Sequence, residues 1–293
     1  MSKTTHRLFA LLCAAVALLG LLGVSVFAAG GAELGSRADP KLLTCVEIPM
    51  YIDNEYIGSG YVADSVPYVP LLAFTECMLM DQCDVVWEQD TASATISSEV
   101  LTLSVTIGDG YMVANDRYFY LGDGVYNING TIIVPLTVMA KIFSVDLAVD
   151  RELWSIRIDT GNIRIPDPAS EVYDETDLYW LSRVITAEAR TQPLDGMVGV
   201  GAVVMNRVKD NGALFEDSVY GVIFQTGQFD VVRLKTIYCE PSEEAVIAAK
   251  LCLEGYSTVE DSLWFVNPYI GDARWFNMHK TYVTTIADHA FYV

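Results

Sequence analysis

Histidine and positive charge are scarce in this 293-residue chain, which has three histidines and 18 Lys and Arg against 38 Asp and Glu. The resulting net charge of -20 argues against nucleic acid and anionic membrane surfaces as partners. No Cys-x-x-Cys occurs, and the six cysteines lack the spacing of a zinc ligand set, so neither a metal nor another cofactor is expected. Beyond Cys13, the cysteines are Cys45, Cys77, Cys83, Cys239 and Cys252. Local disulfides Cys77–Cys83 or Cys239–Cys252 and free buried thiols both remain open. A Cys–His nucleophile would need Cys239 or Cys252 to meet His279 or His289. Neither cysteine lies in a glycine-rich or helix-start setting that lowers a thiol pKa. After residue 26 no run is long and apolar enough to span a membrane.

The N-terminus does hold such a run. Lys3, His6 and Arg7 precede the apolar stretch Leu8 to Val26, and Val26-Phe27-Ala28 permits cleavage after Ala28. Residues 1–28 therefore read as a signal peptide, or as an uncleaved anchor through residues 8–26. In both cases the remainder is exported, to the wall or beyond. Gly30 to Lys41 is a small polar spacer.

Residues 45–158 are strand-rich. Alternating runs such as Val46-Glu47-Ile48-Pro49-Met50-Tyr51-Ile52 and Leu101-Thr102-Leu103-Ser104-Val105-Thr106-Ile107 are separated by Asp, Gly and Asn turns. The region repeats internally. Tyr68-Val69-Pro70-Leu71-Leu72-Ala73-Phe74 recurs as Ile133-Val134-Pro135-Leu136-Thr137-Val138-Met139, each followed by two further strands. Each Val-Pro-Leu is expected to end a strand and open a short helix with proline at its first position. This order resembles the stalk-like N-terminal domain of copper amine oxidases, which implies a structural or wall-facing spacer whose own partner is unknown. Residues 159–174, with Gly161, Pro166 and Pro168, read as a linker.

From residue 175 the pattern turns helical. Asp174-Glu175-Thr176-Asp177 supplies a cap and early negative charge. The helix that follows carries the apolar stripe Leu178, Leu181, Val184, Ile185. The next step on that stripe is Glu188, seven residues after Leu181 and four after Val184. Burial and the negative end of the helix dipole both disfavour a carboxylate there, so both raise its pKa. A carboxylic acid kept protonated near neutral pH suits a general acid for glycosidic bond cleavage. Leu194 to Lys209 reads as a buried helix whose glycines suggest close approach of another backbone. Ser242 to Glu254 reads as a third helix, and the segments 263–268 and 284–292 as extended. The fold class is α+β: a strand-rich repeat unit, then a mainly helical domain with a small sheet over residues 175–293.

Within residues 175–293, several short motifs fall in the order of the SleB/CwlJ cell-wall hydrolases: Ala187-Glu188-Ala189-Arg190, Val200-Gly201-Ala202-Val203-Val204-Met205-Asn206-Arg207-Val208, Tyr220-Gly221-Val222-Ile223-Phe224, Gln228-Phe229, Phe265-Val266-Asn267-Pro268, Trp275 and Ile286-Ala287-Asp288-His289-Ala290-Phe291-Tyr292. The resemblance implies a lysozyme-like fold and cleavage of peptidoglycan glycan strands between N-acetylmuramic acid and N-acetylglucosamine by a lytic transglycosylase, in cell-wall or spore-cortex remodelling and germination. It places the catalytic glutamate on Glu188. The family pattern Gly-Glu-Pro is replaced here by Thr191-Gln192-Pro193, and Gly-Asn-His by Ala287-Asp288-His289.

A hydrolase usually needs two carboxylates, whereas a lytic transglycosylase needs one. Among Asp195, Asp230, Asp272 and Asp288, Asp230 is the strongest candidate for a second, because it adjoins Gln228 and Phe229. Substrate-binding candidates are Gln228, Phe229, Asn267, Trp275, His289 and Tyr292. Turn capping is an equal reading for Gln228 and Asn267, and core or rim packing for Trp275 and Tyr292; for His289 a structural role is favoured. Two other functions compete with the enzyme: a non-catalytic wall-binding protein, disfavoured by retention of Glu188, and a stem-peptide amidase or peptidase, disfavoured by the lack of a zinc triad.

Overall fold

A computed structural model describes residues 45–293, apart from 123, 151–153, 162, 211–213 and 272. The targeting segment and its spacer lie outside the described residues, as does Asp272. Among the described residues no helix is long and apolar enough to cross a membrane. The chain divides into two compact units, with the boundary between Asp167 and Pro168.

The first unit is built from short strands with two short helices. In chain order these are β1 (Val46–Ile52), β2 (Glu55–Ala63), β3 (Val66–Pro70), α1 (Leu71–Leu79), β4 (Asp84–Glu88), β5 (Ser93–Ser97), β6 (Thr102–Thr106), β7 (Tyr111–Ala114) and β8 (Arg117–Tyr120). Then come β9 (Tyr126–Ile128), β10 (Thr131–Pro135), α2 (Leu136–Phe143), β11 (Asp146–Asp150) and β12 (Ser155–Asp159). A seven-stranded sheet runs β11-β12-β1-β2-β3-β10-β9, and β4 to β8 form a separate five-stranded meander. Three hairpins turn on Asp53-Asn54, Asp64-Ser65 and Asn115-Asp116, all with positive φ, the geometry that matches strand twist in two-residue loops.

The two Val-Pro-Leu copies face each other. β3 and β10 are antiparallel neighbours, with Val134 opposite Val69. The helices that follow are amphipathic and pack on one another, Phe74 against Phe143 at 6.1 Å. Both prolines sit at the N-cap, one position before that expected, because each also completes its strand. The copies then diverge: β11 and β12 rejoin the large sheet, whereas β4 and β5 enter the meander.

The second unit contains α3 (Ala169–Val172), α4 (Glu175–Ala189), α5 (Leu194–Lys209), α6 (Val219–Phe224), α7 (Asp230–Arg233), a 3-10 turn (Thr236–Tyr238) and α8 (Glu243–Leu253). Its remaining elements are β13 (Trp264–Val266), α9 (Ala273–His279), β14 (Tyr282–Ile286) and β15 (His289–Tyr292). The helices α4, α5 and α8 pack on one another, and the strands form a small sheet in the order β13-β15-β14. Leu181, Val184 and Ile185 are fully buried; each such side chain contributes about 1.5–3 kcal/mol.

The glycines of α5 allow this packing. A Cβ at Gly201 would stand 2.7 Å from Cys252 Sγ on α8 and 2.8 Å from Ile185 Cδ1 on α4. The close neighbours are thus side chains of two helices, not the backbone that the sequence led us to expect. Cys252 is buried and its thiol donates to the Val198 carbonyl at 3.4 Å. All five described cysteines are free. Burial raises the Cys252 pKa, which disfavours a thiolate at that position.

Candidate active site

Three charged side chains on three helices converge inside the second unit. The first is Glu188. Its helix α4 starts at Asp174, whose carboxylate accepts from the Thr176 and Asp177 amides at 2.9 and 3.0 Å. From that start the apolar stripe runs inward and delivers Glu188 to the last turn, largely shielded from solvent. Burial, first, and the charge of Asp230, second, push its pKa up to about 7, while Arg207 pulls it down. Burial always favours the neutral acid, whereas a neighbouring charge acts according to its sign, and here the neutral form gains.

Arg207 comes from α5. It is 4% exposed, and its Nε donates to the Leu263 carbonyl at 2.8 Å. Its guanidinium lies over the Phe215 ring at 4.6 Å and the Phe229 ring at 5.1 Å. Among the described residues its buried Nη1 has no hydrogen-bond partner. Burial lowers its pKa to about 10, with Glu188 opposing, so it stays cationic at neutral pH. Sequence reasoning from the apolar stripe of α4 alone misses this residue. The signal was available: Val200, Val203, Val204 and Arg207 follow the same three-and-four spacing that exposed Glu188.

Asp230 opens α7. It is exposed and paired with Arg233, Nη2 to Oδ1 at 3.1 Å, so it acts on Glu188 as a charge. The loop before it turns through Gly227, with positive φ, and the Gln228 amide donates to the Gln225 carbonyl at 3.2 Å. Gln228 is half-buried, whereas Phe229 is 6% exposed. Phe229 packs between Arg207 and Phe265, whose ring is 6.4 Å away. It therefore forms the wall behind the charges and offers no open face to a sugar.

The other expected contacts fall elsewhere. His289 is 6% exposed, edge-on to Phe265 at 5.2 Å; burial lowers its pKa, with Asp288 opposing. Tyr292 is 2% exposed and its hydroxyl donates to Asn277 Oδ1 at 2.9 Å, which makes it a core residue. Asn267 Oδ1 accepts from the Tyr269 amide at 2.9 Å, the turn-capping alternative. Trp275 is half-exposed and stacks on His279 at 4.8 Å. None of these contacts reaches Glu188. Among the described residues no group of three or more His, Cys, Asp or Glu side chains is placed to hold a metal ion.

The two departures from the family pattern turn out to be one contact. Gln192 Nε2 donates to Asp288 Oδ2 at 3.2 Å, and Gln192 Oε1 accepts from the Asp288 backbone amide at 3.0 Å. In that contact the glutamine is the side-chain donor and the aspartate the acceptor, so the pair carries a single negative charge.

The comparisons with known proteins follow this division. The description "Cell Wall Hydrolase" matches residues 191–292, and "Copper amine oxidase N-terminal domain" matches residues 51–158. The first match begins just beyond Glu188, so the case for that residue rests on its register, burial and neighbours. The spore cortex-lytic enzyme of Oceanobacillus iheyensis is 31% identical over 136 residues, 45% of this chain and 47% of that protein. The spore cortex-lytic enzyme of Bacillus subtilis is 32% identical over 41% of this chain and 38% of its own length. This chain thus spans less than half the length of those two relatives. Among solved structures, the catalytic domain of the germination-specific lytic transglycosylase SleB from Bacillus anthracis is 30% identical, with 41% of this chain and 97% of that chain covered and a TM-score of 0.38. The cell wall hydrolase CwlJ of Bacillus subtilis is 30% identical over 40% of this chain and 84% of its own length. With a relative of that identity covered over most of its length, the chain belongs to the cell wall hydrolase family.

Proposed function

We propose that the chain cleaves peptidoglycan glycan strands between N-acetylmuramic acid and N-acetylglucosamine as a lytic transglycosylase, with Glu188 as the single acid and base. The observation that carries this reading is a largely buried carboxyl with a pKa of about 7. At that value it is protonated in a large fraction of molecules near neutrality and is still a competent base once ionised.

In the first step the Glu188 carboxyl gives its proton to the glycosidic oxygen as the bond to the muramic anomeric carbon breaks. The carboxylate left behind faces Arg207, which stabilises it, and Asp230, which opposes it. In the second step Glu188 takes the proton of the muramic sugar's own 6-hydroxyl as that oxygen closes on the anomeric carbon. The acid is regenerated and no water is consumed. Asp230 supports this single-acid account, because its pairing with Arg233 on the surface leaves it poorly suited to activate water. Gln228, half-buried in the loop that ends at Asp230, is the candidate ligand for a sugar amide or hydroxyl.

Action on the wall places the working chain outside the cytoplasm, with residues 1–28 as its export signal or anchor. The strand-rich unit serves as the spacer. Digestion of purified peptidoglycan, followed by mass analysis of the fragments, tests the whole reading. Anhydro-muramyl ends are expected; reducing ends would make the enzyme a hydrolase, and freed stem peptides an amidase.

Two substitutions test the electrostatics of the acid. Glu188 must be protonated to act, so its pKa sets the alkaline limb of the pH profile of kcat/KM. Asp230→Asn removes a charge that raises that pKa, so the limb should move to lower pH. Arg207→Met removes a charge that lowers it, so the limb should move to higher pH. Limbs that stay in place, or move in the same direction, would contradict the assignment of Glu188.

A further inference from the structure

Aromatic rings gather at one place on the second unit. Tyr179 and Trp180 come from α4, Tyr220 and Phe224 from α6, and Tyr238 from the 3-10 turn. Trp180 is the hub: its ring meets Tyr179 at 4.9 Å, Tyr220 at 5.6 Å, Phe224 at 4.9 Å and Tyr238 at 6.1 Å. Tyr220 stacks on Phe224 at 4.4 Å. A core would bury such a cluster, yet Tyr179, Tyr220 and Tyr238 are exposed, and Trp180 and Phe224 are only half-buried. Contiguous exposed apolar surface of this kind marks an interaction site.

The rings are held in place before anything binds. Arg183 lies over Tyr179 at 3.7 Å and is itself fixed by Glu240, Nη2 to Oε1 at 3.1 Å. Tyrosine and tryptophan have few rotatable bonds, so ordering them on a ligand costs little. Phe224 also lines a cleft of about 520 Å³ with Glu216, Gly221, Gln225 and Thr226, within the roughly 300–1,000 Å³ of small-molecule sites.

Two paths connect the cluster to the acid. Trp180 precedes Glu188 on α4 by eight residues, a rise of about 12 Å. Phe224 ends α6, and the loop after it carries Gln225 and Thr226 of the cleft, then Gln228, to Asp230, whose charge acts on Glu188. From Phe224 to Gln228 the chain reaches at most about 14 Å. Rings, cleft and acid therefore lie within the span of one short oligosaccharide.

We infer that the five rings form the outer part of the glycan groove and stack against an uncharged sugar ring, a few sugars from the bond that Glu188 cuts. The glycan as occupant rests on the function proposed above. A β-linked sugar offers the axial hydrogens of its ring as an apolar face, and its rim of hydroxyls suits the phenol groups of the tyrosines. Glu216 in the cleft and Glu240 on Arg183 place negative charge beside the rings, which disfavours an anionic lipid surface. Binding energy gained this far from the reacting bond helps to orient it.

The probe is penta-N-acetylchitopentaose, an uncharged β-linked chain of N-acetylglucosamine, titrated into the full chain carrying Glu188→Gln. The readout is the indole N–H resonance of Trp180, assigned by its loss in Trp180→Phe, with Trp87 of the first unit as the reference. The oligomer is expected to shift Trp180 and not Trp87. The pair Tyr220→Ala/Tyr238→Ala should weaken binding about tenfold. The pair Tyr220→Phe/Tyr238→Phe keeps the rings and should stay within about threefold of the parent. A silent Trp180, an alanine pair that binds like the parent, or a phenylalanine pair that loses as much as the alanine pair overturns the inference. Vesicles of phosphatidylglycerol that retain the parent but not the alanine pair would assign the rings to a lipid surface instead. The titration involves no cleavage, so the two readings fail separately. A silent Trp180 in a protein that still releases anhydro-muramyl ends spares the function, and a responsive Trp180 in one that cuts no glycan spares the groove.

Discussion

Glu188→Gln is expected to lower turnover on peptidoglycan about a thousandfold, the middle of the range for a removed general acid or base. The amide keeps the shape and burial of the carboxyl but has no proton to give to the glycosidic oxygen and no basicity to accept one. Misfolding would imitate such a loss, and pH separates the two. In the parent, the folded state holds the Glu188 proton up to about pH 7, whereas the unfolded chain releases it near 4.5. The group's folded pKa is raised, so the parent loses stability as pH climbs through that window, on the order of 1–3 kcal/mol by pH 8. The glutamine has no such term. Urea unfolding should therefore find Glu188→Gln more stable relative to the parent at pH 8 than at pH 5, while activity is lost at both. A variant with full turnover would remove Glu188 from the mechanism.

Gln192→Glu should destabilise the second unit by about 1–2 kcal/mol, the range for a broken hydrogen bond at a mostly buried group. It turns the donor to Asp288 Oδ2 into a second carboxylate oxygen. Gln192 is 9% exposed, so repulsion is poorly screened on its side, although Asp288 faces solvent and moderates the effect. Adding Asp288→Asn supplies a new donor, and the double variant should recover most of the loss, with a coupling of about 1 kcal/mol. Chemical denaturation of the parent, both single variants and the double variant measures this directly. A double variant no more stable than Gln192→Glu alone would show that the two positions are not coupled.

Much of this architecture was legible before any coordinates. Pro193 and the small apolar run after it located α5 to the residue, and the repeated Val-Pro-Leu located both helices of the first unit. Glu188 was legible because a single charge on an apolar stripe breaks a periodic pattern. Arg207 breaks the pattern of its own helix in the same way, but what gives it meaning is a carboxyl on a different helix, and periodicity carries no information about neighbours across helices. The helix α9 escaped notice for another reason: Trp275 and Met278 face outward, so no buried stripe marks it. Tyr292 and His289 carried two readings, sugar contact and structural packing, because a ring has the same sequence signature in a core as on a platform; in the fold both are buried on β15, which pairs with a strand on either side.

The bare backbone at Gly201 has a consequence for chemistry that takes place elsewhere. Ile185, which rests against it, is three residues before Glu188 on α4, and Arg207 is six residues after it on α5. That contact joins the two helices that carry the acid and the guanidinium. A methyl group at 201 would wedge the two helices apart, weaken an attraction that falls with distance, and lift the acid's pKa. Packing at a point no sugar touches would then act as a set-point for working pH, and a lineage could retune the enzyme to a more alkaline wall without altering a single residue in contact with substrate.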